Sequence, residues 1–169
     1  MSESGTRLYL IRHGIAVERE IFHGPDSDRP LTAQGEQKTR RVAQRLKELK
    51  LGFDCLLTSP LLRAQQTANI LQAEGLASAI EVVDWLAPGG DFGSGSDWLE
   101  KAQKSTPKSI AFVGHEPDLS QWAELLLSEE VRQILILKKA GIIGLLLPEA
   151  TSPIGNSLLF WLSAPGLLL

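Results

Sequence analysis

A chain of 169 residues, 43% hydrophobic and 22% charged, has the make-up of a globular domain long enough to bury a core without disulfide or metal staples. Its formal net charge of −3 argues against a broad nucleic-acid-binding face but leaves room for a local cationic pocket. The single Cys55 allows no intramolecular disulfide and reads as a small buried hydrophobe. No basic-then-apolar leader opens the chain. The greasiest stretch, 134–147, is broken by Lys138, Lys139 and two glycines, so it is too short and interrupted to span a bilayer. The expectation is a soluble cytoplasmic protein with no membrane or nucleic-acid partner.

In chain order, residues 8–11 are apolar without alternation, the pattern of a short strand buried on both faces. Residues 14–31 are rich in Gly, Pro, Asp and Ser and read as a loop in which His23 is a solvated surface residue. Thr32 offers an N-cap, Val42, Leu46 and Leu49 define one face, and Gly52 marks the end of a first helix. Cys55 to Thr58 form a second strand. Ser59-Pro60 then signals a second helix, with Ser as cap and Pro in the first position, burying Leu61, Ala64, Ala68 and Leu71.

A short strand is expected at 81–84, a Gly/Ser-rich loop at 88–96 and a helix at 97–104 with Trp98 and Leu99 inward. Another buried strand covers 109–113. Asp118 offers a cap for a helix facing inward through Leu119, Trp122, Ala123 and Leu126. Residues 142–147 and 157–162 read as a strand pair joined by a Pro/Gly/Asn turn. Strands that alternate with helices predict a three-layer α/β/α sandwich with a mainly parallel central sheet. No repeat or linker divides the chain, so a single domain over 1–169 is expected.

Three islands carry chemistry. Arg12-His13-Gly14, Ser59-Pro60-Leu61-Leu62-Arg63-Ala64 and Val113-Gly114-His115-Glu116 each follow an apolar strand, about fifty residues apart. In open α/β sheets, ligands gather beyond the carboxyl ends of strands, which brings the three together. Arg12 and Arg63 would hold a tetrahedral dianion with planar forks, the helix start at Ser59 would add a positive dipole end, and His115 would donate to an oxygen. His13 remains as nucleophile, attacking phosphorus through a neutral imidazole nitrogen. Any one island alone has a plainer explanation, such as a hydrogen-bonded strand-end histidine or a solvated helix charge; their joint placement favours a site.

With these residues the chain resembles the histidine phosphatase superfamily, the phosphoglycerate mutase-like proteins. Arg12-His13-Gly14, the 59–68 segment and Gly114-His115 match its pattern. The chain is most similar to SixA-type phosphohistidine phosphatases in its shortness, in Arg29-Pro30-Leu31-Thr32, in 86–91 and in 114–120. The resemblance implies a phosphorylated His13, a phosphate pocket of Arg12, Arg63 and His115, no metal and no cofactor. It also implies a minimal fold without a large cap insertion.

Two departures stand out. Arg19 occupies the place where mutase-like members carry an asparagine, and no glutamate lies between Glu81 and Glu100, where they carry their proton donor. An alkoxide leaving group needs that proton, whereas a ring-protonated phosphohistidine leaves as neutral imidazole, whose conjugate acid has a pKa near 6.5. The expected function is therefore hydrolysis of phosphohistidine on a signalling protein, a histidine phosphotransfer domain, with inorganic phosphate as product. Glu18, Asp26, Asp28 and Asp91 are candidates to assist water, with no choice among them. The alternatives are a small phosphomonoesterase acting on a sugar phosphate or related metabolite, and an inactive phosphoprotein-binding module.

Overall fold

A computed structural model describes residues 5–105 and 107–169. Its six strands are β1 (Arg7–Arg12), β2 (Cys55–Thr58), β3 (Glu81–Val82), β4 (Ser109–Gly114), β5 (Ile142–Leu146) and β6 (Leu158–Ser163). They form one sheet in the order β3-β2-β4-β1-β5-β6. The first four run parallel, β5 is antiparallel to β1 and β6 is antiparallel to β5.

Side chains alternate across the strands and divide the core in two. Tyr9, Ile11, Leu56, Ala111 and Val113 meet α1 (Ala33–Glu48) and α2 (Leu62–Ala73) on one face. Leu8, Leu10, Leu57, Ile110 and Phe112 meet α3 (Phe92–Lys104) and α4 (Asp118–Ser128) on the other. This is the three-layer α/β/α arrangement with a mainly parallel sheet that the strand–helix alternation predicts. No helix among the described residues is long and apolar enough to cross a membrane.

Local signals placed some boundaries and misplaced others. Thr32 caps α1 as expected, its hydroxyl accepting the Gly35 N–H at 2.9 Å. That helix ends at Glu48, and Lys50, at φ 60°, takes the left-handed position expected near Gly52. Leu49 lies outside its buried face, 47% exposed, and Cys55 is half-buried rather than buried.

Ser59-Pro60 does not start α2. The helix begins at Leu62 with Leu61 as cap, and the Ser59 hydroxyl accepts the Leu61 N–H at 3.2 Å. The third strand shrinks to Glu81–Val82 and passes into a 3-10 turn over Asp84–Leu86.

The largest error concerns α3, which starts five residues before the expected 97 because Asp91 caps it by accepting from the Gly93 and Ser94 N–H groups. Gly93 and Gly95, expected in the loop, lie inside its first turns, while Gly89 and Gly90 remain in the loop before it. A Cβ on Gly95 would stand 3.0 Å from the Trp122 ring and 3.3 Å from that of Trp85, so a side chain there would have to push those rings aside by a few tenths of an ångström. Nor does the Asp118 side chain cap α4: it accepts the Gly89 N–H at 2.8 Å and ties the preceding loop down.

Candidate active site

Strand order explains why the three islands meet. β2, β4 and β1 are consecutive parallel neighbours, spaced about 4.8 Å apart, so their carboxyl ends open at one place. The ladder continues into the site: the His13 N–H donates to the Gly114 carbonyl at 3.1 Å and the Ser59 N–H to the Val113 carbonyl at 3.0 Å. The rings of His13 and His115 lie 5.1 Å apart, and both histidines, Ser59 and Arg63 are buried.

The network sets the tautomer of His13. Its Nδ1 lies 2.7 Å from the Gly14 carbonyl, which can only accept, so Nδ1 carries the proton. Nε2 then holds the lone pair, and the Arg63 Nε–H donates to it at 3.3 Å. The nucleophilic nitrogen of a phosphoryl-transfer site would thus face a guanidinium.

His115 Nε2 is paired with the Ser59 hydroxyl at 2.7 Å, while its Nδ1 is buried without a hydrogen-bond partner among the described residues. Arg12 donates through Nη1 to the Leu137 carbonyl at 2.9 Å, and its Nε is likewise buried and unpaired. Buried polar atoms are normally satisfied. Unpaired nitrogens on both an imidazole and a guanidinium, beside a second guanidinium, suit an oxyanion.

Burial, reinforced by His115, Arg63 and Arg12, pushes His13 down to about 3, against the single opposing contact from Gly14. Burial and the guanidiniums of Arg63, Arg12 and Arg29 push His115 down to about 3, against the pull of Asp26. Both rings are therefore neutral at physiological pH. Their folded-state pKa values lie below the ordinary value of about 6.5, so the unfolded chain binds more protons. These histidines accordingly cost stability progressively as pH falls from about 6.5 towards 3. In ligand-free protein, imidazole NMR shifts of both residues are expected to stay those of the neutral ring down to about pH 5. An inflection near the ordinary histidine value in either ring would contradict this geometry.

Of the four carboxylates considered, the structure brings Asp26 to the cluster. The Arg63 guanidinium grips it twice, Nη1 on the backbone carbonyl and Nη2 on Oδ2, each at 2.9 Å. Arg29 Nε donates to Oδ1 at 2.8 Å, and Arg19 stands 3.9 Å away. Partial burial works to raise the Asp26 pKa, but the contacts with Arg29 and Arg63 outweigh it and hold the carboxyl below its ordinary range. Glu18 and Asp28 are exposed, Asp28 accepting from Ser27, and Asp91 is occupied in capping α3. Glu116 accepts from the Ser120 N–H and hydroxyl.

Residues within the matched segments support the cluster through contacts that the sequence did not specify. Thr67 accepts the Gly14 N–H at 3.0 Å and donates to the Arg63 carbonyl at 2.8 Å, locking the residue after His13 to α2. Gln66 accepts the Leu31 N–H. Gly14 is small because a Cβ there would collide with the Thr39 hydroxyl.

Glu124 is the least expected. It is 3% exposed, and its carboxylate accepts four successive backbone N–H groups, from Arg132, Gln133, Ile134 and Leu135, at 2.6–3.0 Å. Desolvation opposes its charge, and the four donors more than offset that, lowering its pKa. The strap it anchors runs on to Leu137, whose carbonyl orients Arg12. Glu124→Ala is expected to cost at least about 2 kcal/mol in denaturant melts, because the four donors lose a charged acceptor. It should also raise amide exchange at 132–135; unchanged exchange there would refute the anchoring role.

Comparison with known proteins gives the family. Residues 8–87 match the model of the histidine phosphatase superfamily (branch 1). The chain is 34% identical over 112 residues to phosphohistidine phosphatase SixA of Escherichia coli, an alignment covering 66% of this chain and 68% of that one. An uncharacterized protein of Picosynechococcus is 49% identical over 138 residues, covering 82% and 83% of the two chains. The solved structure of protein histidine phosphatase SixA complexed with tungstate superposes with a TM-score of 0.86 at 29% identity, over 97% of this chain and all of that one. A phosphoserine phosphatase of Entamoeba histolytica shares the fold, with a TM-score of 0.69 at 21% identity over 97% of this chain and 100% of that chain. The chain belongs to the histidine phosphatase superfamily. Within it, this protein is a homologue of SixA.

Proposed function

We propose that the chain hydrolyses phosphohistidine on a signalling protein, a histidine phosphotransfer domain, through a phosphorylated His13. The observation that carries this reading is the state of the one carboxylate bonded to the cluster. Asp26 is clamped by Arg63 and Arg29 and held below its ordinary pKa, so it is ionised and has no proton to give a leaving alkoxide. A substrate that brings its own proton escapes that need.

In the first step the Nε2 lone pair of His13 attacks phosphorus in line. The phosphorus–nitrogen bond of the ring-protonated donor breaks, and its electrons leave with neutral imidazole. Arg12, Arg63 and His115 hold the phosphoryl oxygens. In the second step water attacks the phosphorus of phospho-His13, Asp26 takes the water proton, and the bond electrons return to Nε2 as phosphate departs. Tungstate in the SixA relative is a tetrahedral oxyanion of the kind such a pocket would hold.

The decisive experiment compares rates on a histidine-phosphorylated phosphotransfer domain and on a panel of small phosphate esters. Turnover of the protein far above that of every ester is expected. The reverse preference would overturn the reading in favour of a phosphomonoesterase. Release from neither, with phosphate bound, would make the chain a binding module. Asp26→Asn keeps an acceptor for Arg63 but loses the base. Rapid-quench kinetics should then show an intact phosphoryl burst on His13 and a steady-state rate lower by about 100-fold. A burst that slows in parallel would remove Asp26 from the second step.

A further inference from the structure

An open groove of about 430 Å³ runs outward from Arg12. Ile15, Ala164 and Pro165 contribute an apolar floor, while Lys38 of α1 and Lys138 and Lys139 of the strap stand on its rim. None of the lining residues is acidic, and among the described residues no ion pair or hydrogen bond engages the three lysine side chains. On a chain of net charge −3, three unpaired ammonium groups beside an arginine of the site are a concentrated local excess. The strap that carries two of them also presents Ile134 and Ile136, each more than 70% exposed, and is held rigid through Glu124.

We infer that this groove is the docking surface for an acidic, partly apolar face of the phosphohistidine-bearing protein, an inference that rests on the function proposed above. Arg12 lines the groove and is the residue before His13, so a protein that delivers a phosphoryl group to His13 has the lysines within reach of its flanking surface. A small dianion would need converging, fixed donors. Here the rim offers only flexible ammoniums over an apolar floor, which suits carboxylates spread across a protein surface. Such charge complementarity acts mainly on encounter and is screened by salt.

The test uses the triple variant Lys38→Glu, Lys138→Glu, Lys139→Glu and its alanine counterpart, with folding checked by circular dichroism. Each is measured with a histidine-phosphorylated phosphotransfer domain and with inorganic phosphoramidate as the small donor. For the protein donor, the glutamate variant should raise KM by at least about tenfold and leave kcat unchanged, while the alanine variant flattens the salt dependence. Phosphoramidate turnover should be unaffected in both. A protein-donor KM insensitive to the lysines overturns the docking surface alone. Equal losses on phosphoramidate overturn it by placing the lysines in the phosphate pocket. A wild-type protein that hydrolyses small esters but not the phosphorylated protein overturns the proposed function and the docking surface with it.

Discussion

His13→Ala is expected to lower turnover of a phosphohistidine donor by at least about 10⁴-fold, with no acid-labile phosphoryl group trapped on the protein. The side chain is buried, so truncation leaves a small cavity; the remaining backbone bond from the His13 N–H to Gly114 should keep β1 in register. The loss should therefore be chemical rather than structural. The same variant should still bind tungstate or phosphate, because Arg12, Arg63 and His115 are unchanged. Residual turnover near the wild-type rate would eliminate covalent catalysis by His13, and loss of oxyanion binding together with turnover would instead indicate a collapsed pocket.

Arg63→Lys is expected to be nearly as damaging, lowering kcat/KM by about 10³-fold although the charge is kept. Arg63 does three things at once through one planar group: Nε faces the His13 lone pair, Nη2 holds the Asp26 carboxylate, and Nη1 holds the Asp26 carbonyl. An ammonium cannot reproduce that fork. Its loss should also release Asp26 towards its ordinary pKa, since Arg63 is one of the two guanidiniums that lower it. The pH profile of the variant should shift accordingly on its acid side, towards higher pH, because Asp26 must be ionised to accept a proton. A lysine variant with wild-type kcat/KM would show that charge alone suffices.

Both effects follow from how neutral bases and cations share one buried pocket. Two imidazoles kept uncharged by burial sit beside two guanidiniums, so on the proposed function a nucleophile and an anion clamp would coexist without titrating each other. On that proposal, Asp26 cannot serve as the acid that ester chemistry would require, because it is ion-paired from two sides.

Much of this molecule was open to reading along the chain. The apolar runs at β1, β2 and β4, the Thr32 cap and the amphipathic faces of α1 and α4 all depend on contacts between near neighbours or on simple burial periodicity. So does the placement of His13, Arg63 and His115 just past strand ends. The absence of a glutamate over 82–99 was equally plain.

What the chain alone could not decide was set by contacts without period or local grammar. That Asp26, and not Glu18, Asp28 or Asp91, is bonded to the cluster depends on Arg63, 37 residues away, reaching back across the loop. The close packing at Gly95 inside α3 depends on rings from Trp122 and Trp85, and the orientation of Arg12 depends on a strap pinned by Glu124. Hydrophobic pattern and capping therefore determined which elements form and which strand ends carry His13, Ser59 and His115. Only the folded sheet, by making β2, β4 and β1 neighbours, decided which distant groups share a pocket, because those hydrogen bonds are geometric consequences of chain closure.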